Sequence, residues 1–261
     1  NLSTLKNKVT SLGFGTNSYI SGSYATYVGH EVGQFYGWVY EGIARTQSDL
    51  DNHATQQGAN VGDCLYKDVS GPNGTPDGKI DAYDQVVLGS GLPKINFGLS
   101  ARLEYKNFDL TISTYGSLNY HVSDDIYNSL NSCYGWGNKD VSILNANQYS
   151  SDGKTYISSV PRTYVTNNAS LAWNDLFSSR KIQNAAYWKI ANIELGYNLP
   201  NKWFKGIISG ARAYISAQNV YTFTGYHGYN VDYAGGTFTP GNNFCSFPTP
   251  HTYMCGVQFT F

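Results

Sequence analysis

The most regular feature of the chain is a two-residue alternation of apolar and polar side chains. It is clearest in residues 93–105, "PKINFGLSARLEY", where polar residues or glycine separate the apolar positions. Successive side chains of a strand point to opposite faces, so this pattern predicts a strand of about a dozen residues with one apolar face. The apolar positions are Ile95, Phe97, Leu99, Ala101, Leu103 and Tyr105.

The alternation recurs in later segments. Residues 107–118 follow after only "KN", a two-residue link that is typical of a hairpin turn. An earlier, aromatic segment, 33–43, is a weaker sixth candidate because its apolar positions do not keep to one parity. The remaining strands are predicted at 187–199, 210–223 and 252–261.

The connections between these strands are very unequal. The links at 106–107 and at about 200–209 are short, whereas 44–92, 119–185 and 224–250 are long, irregular and rich in Gly, Asn, Ser and Asp. Short turns at one end and long loops at the other are typical of outer-membrane barrels, whose long loops are extracellular. A soluble β-sandwich seldom has such one-sided loops.

Composition supports this interpretation. Charged residues make up 13% of the chain, about half of the roughly 25% of a typical soluble domain. Aromatic residues make up 15%, including 23 tyrosines. No apolar run approaches the roughly 18 residues of a transmembrane helix, which does not exclude membrane-spanning strands. The net charge of −1 gives no indication of a nucleic-acid partner.

Six strands are too few to enclose a membrane barrel, which needs at least about eight. An open sheet in lipid would leave backbone N–H and C=O groups unpaired, at a cost of several kcal/mol each. We therefore expect the strands to complete a larger barrel. The chain opens on Asn1 rather than methionine, which is consistent with a mature product or a piece of a longer protein.

Several motifs, in this order, resemble the C-terminal part of SusC-like TonB-dependent outer-membrane transporters. They are "VGHEVGQFYGWVYEGI", "KDVSG…DGKIDAYDQVVLGSGLPKINFGL", "YWKIANIELGYNLP", "ARAYISAQNVYTFTGYHGYNVD" and a strand that ends at Phe261. The resemblance covers nearly the whole chain.

The resemblance implies an all-β fold and a cell-outer-membrane location. Residues 1–261 would supply about six C-terminal strands of a transmembrane antiparallel β-barrel of about 22 strands, with extracellular loops at 44–92, 119–185 and 224–250. A plug domain, absent from this chain, would fill the barrel and contact TonB. The activity implied is nutrient import, of oligosaccharides or oligopeptides. The partners implied are the remaining N-terminal barrel and plug, a SusD-like surface lipoprotein, TonB and outer-membrane lipid.

A loop at 73–84 has the spacing of a calcium-binding loop. Hard oxygen donors alternate around Gly78, the position at which such loops turn sharply. Ca²⁺ or Mg²⁺ is therefore a candidate ligand, and a metal-free turn rich in Asp and Asn is the alternative. The resemblance to SusC-like transporters implies a shorter loop, in which Asp68 would be the first metal ligand. The additional residues between Asp68 and Gly78 in this chain are expected to move Asp68 away from that position. The predicted ligands are Asn73, Thr75, Asp77, Lys79 (through its carbonyl), Asp81 and Asp84.

Catalytic motifs are absent from the sequence, so we expect no enzymatic activity. The adjacent carboxylates Asp124 and Asp125 are interpreted as helix-capping residues before "IYNSL". Aromatic residues in the long loops are candidates for stacking on sugars or gripping peptides, although packing against other loops or the lipoprotein explains them equally well. They are Tyr134, Trp136, Trp173, Tyr229 and Tyr233.

The last strand carries a candidate signal for barrel insertion, formed by outward-facing Phe259 and the terminal Phe261. The four scattered cysteines do not have zinc-site spacing, and one disulfide between loops is possible, with its pairing open. Two alternative functions remain: a secreted, calcium-stabilised β-sandwich that binds carbohydrate, and a passive porin-like channel.

Overall fold

The computed structural model describes residues 1–13, 15–134, 137–164, 173–204, 208–232 and 235–261. Two short helices, α1 Gln47–Asp51 and α2 Asp125–Leu130, accompany fifteen strands. The strands are β1 Leu2–Thr4, β2 Ser18–Ser21, β3 Tyr24–Tyr27, β4 Gln34–Gly37, β5 Tyr40–Ile43, β6 Cys64–Tyr66, β7 Val86–Ser90, β8 Ile95–Tyr105, β9 Phe108–Leu118, β10 His121–Asp124, β11 Ile182–Asn184, β12 Tyr187–Leu199, β13 Gly210–Thr224, β14 Asn242–Asn243 and β15 Thr252–Thr260.

The main structure is a six-stranded antiparallel sheet in the order β1-β8-β9-β12-β13-β15. Five of its strands are the five that the alternation predicts, within a few residues at each end. The register places residues of one parity side by side across the sheet. One apolar row crosses five strands, through Leu103, Leu110, Leu195, Ile215 and Cys255.

The apolar face of this sheet is exposed. Leu103 keeps 63% of its surface accessible, Ile215 59% and Tyr253 80%. A β-sandwich would bury such a face against a second sheet, so the sandwich alternative does not describe this fold. No helix of the described residues is long and apolar enough to cross a membrane.

The prediction of one strand over 33–43 is wrong. This segment forms two short strands, β4 and β5, which pair with loop strands and lie outside the main sheet. Phe35, Tyr36 and Trp38 occupy both parities, so the segment has no single apolar face. The sixth strand of the main sheet is β1 instead, which at three residues is too short for periodicity to show.

All the long connections leave the sheet at the same end. Tyr105 pairs with Phe108 across the hairpin at 106–107, and at the opposite end Tyr187 pairs with both Ser117 and Thr224. β15 begins at this second end, where Thr252 pairs with Gln218. The predicted one-sided distribution of loops is therefore present in the sheet.

The long loops have a folded interior of their own, which we call the loop layer: the described residues of 44–92, 119–185 and 224–250 with β2 to β5. It contains three small sheets and two buried clusters. One cluster is centred on Tyr120, Val122 and Tyr226, and the other on Cys64, Tyr66 and Ile80. The expectation of irregular loops is therefore only partly correct.

Candidate functional site

The face of the main sheet opposite the apolar one is polar and carries an ionic cluster near the short-turn end. Arg212 donates from Nε to Asp109 Oδ1 at 3.0 Å and from its NH2 group to Glu194 Oε1 at 2.8 Å, with a further bond to Asp109 Oδ2. Gly196 makes room for this arrangement, because a β-carbon there would collide with the guanidinium group. One cation thus bridges the carboxylates of two other strands and ties three strands together.

A second cluster lies on the polar face at the loop end. Lys189, which is almost fully buried, donates to Asp232 Oδ2 at 2.6 Å. The hydroxyls of Tyr115 and Tyr187 donate to the same carboxylate at 3.0 and 2.9 Å. Asp232 belongs to the loop after β13, so this cluster fastens that loop onto the sheet and neutralises the charge of Lys189.

Beside this cluster is a pocket of about 320 Å³. The pairing of β13 with β15 stops at Gln218, and residues 247–250, "FPTP", then run past the end of β13. Pro248 and Pro250 have no N–H to donate to β13, which explains why pairing starts only at Thr252. The pocket between strand and loop presents amides, hydroxyls and aromatic rings, through Asn219, Tyr221, Thr222, Tyr229, Asn230, Thr249 and His251.

The predicted loop aromatics do not form one surface. Tyr229 is 62% exposed and lines this pocket. Trp173 packs in the cluster around Tyr66, and its Nε1 donates to Gln57 O at 2.8 Å. Tyr134 packs against Tyr164 in a tilted arrangement, with ring centroids 5.4 Å apart. Trp136 and Tyr233 lie outside the described residues. Tyr229 is therefore the described candidate best placed to meet a solute.

Asp124 has the predicted capping role, because its Oδ1 accepts from Tyr127 N at 2.8 Å at the start of α2. It is nevertheless buried rather than solvated, and its Oδ2 accepts from the Tyr226 hydroxyl and from Asn243 Nδ2. Burial raises the pKa of Tyr226, and the hydrogen bond to Asp124 adds to the shift. The phenol therefore stays protonated as a donor.

Two further carboxylates organise the loop layer. Asp63 is fully buried and forms a two-point ion pair with Arg162, at 3.0 and 2.9 Å. Asp175 accepts from the N–H groups of Cys133 and Tyr134 and from the Tyr164 hydroxyl. Burial raises the pKa of Tyr164, and the charge of Asp175 raises it further. Each carboxylate thus joins segments that are distant in sequence.

The predicted metal loop is described throughout. Asn73, Thr75, Asp77, Lys79 and Asp81 are exposed, and Gly78 adopts a left-handed φ of +80°. Asp84 is fully buried: its Oδ1 accepts from Val69 N and Ser70 N, and its Oδ2 from Asp81 N. A carboxylate with both oxygens occupied in this way is a brace for the loop, which conflicts with the ligand role predicted for Asp84.

Asp68 is not displaced by the insertion, contrary to expectation. Its Oδ2 accepts from Gly78 N at 2.7 Å, while its Oδ1 is buried without a hydrogen-bond partner. No group of three or more His, Cys, Asp or Glu side chains in the described residues is placed to hold a metal. The loop therefore has the turn of a calcium site without an assembled set of ligands, and the metal stays a prediction.

Phe259 and Phe261 lie at the short-turn end, with 51% and 88% of their surfaces exposed. Phe259 pairs with Ala211 on the apolar face. This position agrees with the outward orientation assumed for them, whereas their role in barrel insertion remains a prediction.

Sequence reasoning missed both ionic clusters. Alternation assigns Asp109, Glu194 and Arg212 to the polar faces of three separate strands, but it does not show which of them meet. The available sequence signal is that charged residues of three strands lie on the polar face. Which of these residues become neighbours depends on the register in which the strands pair.

An open antiparallel sheet with one exposed apolar face, one polar face and its long loops at one end is typical of the wall of an outer-membrane barrel. The resemblance to SusC-like TonB-dependent transporters is confirmed by comparison with known proteins. TonB-dependent receptor P3 of Formosa agariphila is 26% identical over 279 residues, covering 100% of this chain and 26% of the receptor. TonB-dependent receptor SusC of Bacteroides thetaiotaomicron is 25% identical and covers 76% of this chain.

Solved structures agree with the sequence relatives. The chain superimposes on the RagAB peptide transporter with a TM-score of 0.73 at 24% identity, over 97% of this chain and 25% of that one. The RagAB peptide importer in its open-open state gives a TM-score of 0.71. No family model matches. The chain spans about a fifth to a quarter of the length of these relatives, which are receptors and transporters rather than enzymes.

Proposed function

We propose that this chain is the C-terminal wall of a SusC-like transporter that imports nutrients across the outer membrane, driven by TonB. One observation carries the proposal: the main sheet has an exposed apolar face and an ionic polar face, which is the division between lipid and lumen in a barrel. The loop layer would face the cell exterior, and Phe261 the periplasmic rim.

The rest of the barrel is part of this proposal. The backbone edge of β8 is paired by β1 only near residues 95–97, and β15 has one partner, β13, among the described strands. Unpaired edges are not tolerated in lipid. Further strands of the same transporter would therefore pair with both edges, and a plug domain would meet the ionic cluster of Arg212.

The solute we propose is an oligopeptide or an oligosaccharide, received with a SusD-like lipoprotein. The pocket beside Tyr229 supports a neutral polar solute, because its lysine is already neutralised by Asp232. Amides and hydroxyls offer hydrogen bonds, and the exposed ring offers a stacking surface. The resemblance to peptide importers favours testing peptides first.

Uptake by cells that carry the full-length transporter tests the proposal. We expect growth on a limiting peptide mixture or glycan mixture to require the gene, and an uncoupler of the inner membrane to abolish uptake. Uptake that persists without TonB would support the porin-like alternative instead. Tyr229→Ala should weaken uptake several-fold at limiting solute, while Tyr253→Ala, on the apolar face, serves as the matched control.

We further propose that Ca²⁺ or Mg²⁺ binds the 73–84 loop through Asp68, Asp77 and Asp81. The unpartnered Asp68 Oδ1 supports this proposal. Because the ligands are not assembled beforehand, the ion would draw them together and stabilise the loop. Calcium should raise the temperature at which this loop loses protease resistance, and Asp81→Ala should abolish that rise. An identical profile with calcium and with chelator contradicts the proposal.

A further inference from the structure

Two of the four cysteines come from different loops and are buried in the same part of the loop layer. Cys64 is in β6, within loop 44–92, and Cys133 is in loop 119–185; neither has any accessible surface. Cys245 and Cys255 are exposed, one in the last loop and one in the middle of β15. The buried pair is therefore in a different environment from the other two.

Neighbouring residues hold the two buried cysteines in place. Cys64 N donates to Asn174 Oδ1 at 2.7 Å, and Cys133 N donates to Asp175 Oδ1 at 3.1 Å. Since Asn174 and Asp175 are consecutive, with Cα atoms about 3.8 Å apart, the two cysteine backbones are anchored at adjacent points of one segment.

A second segment brings the same two regions together independently. Cys133 Sγ lies 3.9 Å from Pro161 O, and the next residue, Arg162, forms the ion pair with Asp63. Asp63 directly precedes Cys64. Pro161 thus contacts Cys133, and the adjacent Arg162 contacts Asp63, the residue before Cys64.

The thiols are also close enough to influence each other electrostatically. Burial raises the pKa of Cys64 to about 12 and that of Cys133 to about 11, and the charge of a Cys133 thiolate would add to the shift of Cys64. The Arg180 guanidinium lies near both and opposes the shift. Thiols so rarely ionised are unreactive once the loop layer has folded.

All four cysteines are free thiols in the structure. We propose that Cys64 and Cys133 are oxidised in the transporter to a structural disulfide that links loop 44–92 to loop 119–185, while Cys245 and Cys255 remain thiols. The exposed cysteines do not share an anchoring segment, and Cys255 lies on the apolar face opposite Ile215. The bond would close a long loop of chain and fix the layer in which the candidate pocket lies.

The chemistry requires an oxidant, which we assign to the disulfide of a thiol–disulfide oxidoreductase. One cysteine thiolate attacks that disulfide and forms a mixed disulfide with loss of its proton. The second thiolate displaces the enzyme sulfur, so the Sγ–Sγ bond forms and the oxidoreductase leaves as a dithiol. Because both thiols are inaccessible in the folded protein, this exchange must precede burial.

Cysteine mapping in the full-length transporter tests the proposal. Cells are lysed in acid, the protein is denatured, and free thiols are alkylated before and after reduction. We expect peptides that contain residues 64 and 133 to be recovered as one cross-linked species without reductant, and residues 245 and 255 to be alkylated directly. Alkylation of Cys64 and Cys133 without reductant, or a link to any other cysteine, overturns the proposal.

Cysteine variants test whether the disulfide itself, rather than the contacts around it, stabilises the loop layer. Cys64→Ser should make Cys133 available to alkylation, and Cys255→Ser, the control, should leave the cross-link intact. Protease should cleave loop 119–185 faster in the Cys64→Ser/Cys133→Ser double variant than in the wild type and in Cys255→Ser; equal rates in all three overturn a structural role. The disulfide requires an oxidising compartment, so this inference rests on the proposed outer-membrane location. Membrane fractionation of the same preparation distinguishes an incorrect location from the absence of the disulfide in a correctly located protein.

Discussion

Buried carboxylates fix the loops of this chain residue by residue. Asp63, Asp84, Asp124 and Asp175 each accept several hydrogen bonds from segments distant in sequence. Asp63, Asp84 and Asp124 have almost no exposed surface, and the Asp175 side chain is 16% exposed, so their partners must satisfy the charge that burial takes out of water. Asp84, which the sequence suggests as a metal ligand, therefore serves as an internal brace, and Asp124 joins distant segments in addition to capping α2.

The ion pair of Arg162 and Asp63 gives the sharpest test of this role. Arg162→Ala would leave the Asp63 charge buried and unpaired, so we expect a loss of about 3–5 kcal/mol of local stability. Hydrogen exchange at the amides of residues 60–64 measures it. Arg102→Ala, which breaks an exposed pair with Glu104, is the control and should cost less than about 1 kcal/mol. Equal protection of the amides of residues 60–64 in both variants would contradict the structural role of this ion pair.

His121 gives the loop layer a dependence on pH. Burial lowers the pKa of His121 below its ordinary value of 6.5, so the unfolded state takes up a proton more readily than the folded state. Stability should therefore fall as pH drops below about 6.5 and level off below the folded pKa. His121→Gln should flatten that decline, as measured by protease resistance of loop 119–185 between about pH 7 and pH 5. An unchanged profile in this variant would contradict the assignment.

Among the elements, the long strands are predictable and their partners are not. Alternation locates β8, β9, β12, β13 and β15 because each has one apolar face along most of its length, although a register shift interrupts it between Ile190 and Asn192. It fails for 33–43, where Phe35, Tyr36 and Trp38 occupy both parities and the chain forms two short strands instead of one. The contacts of Arg212 with Asp109 and Glu194 depend on register, and the loop layer depends on contacts such as Asp63 with Arg162. Neither kind of contact is encoded in local periodicity.

The hairpin between β8 and β9 is held in a conformation that its sequence disfavours. Lys106 has a φ of +54°, a region costly for residues with a β-carbon. Lys106→Gly should therefore stabilise the hairpin by about 1 kcal/mol, whereas β-branched Lys106→Val should destabilise it. Urea unfolding of the full-length transporter in detergent measures both effects. If both substitutions changed the free energy of unfolding in the same direction, the interpretation of a strained turn at Lys106 would be contradicted.

For the whole molecule, the two faces of the main sheet require different surroundings. The apolar row through Leu195, Ile215 and Cys255 is exposed in the described chain, while the polar face carries its own ionic partners. If the apolar face meets lipid, Ile215→Arg should cost about 2–4 kcal/mol near the middle of the bilayer. Ser113→Arg, on the polar face, should be tolerated because water or the plug would accept the charge. Folded transporter in outer-membrane fractions, resolved by its heat-dependent electrophoretic mobility, measures both variants. Equal assembly of the two would show that the apolar face does not contact lipid, and the transporter proposal would fall with it.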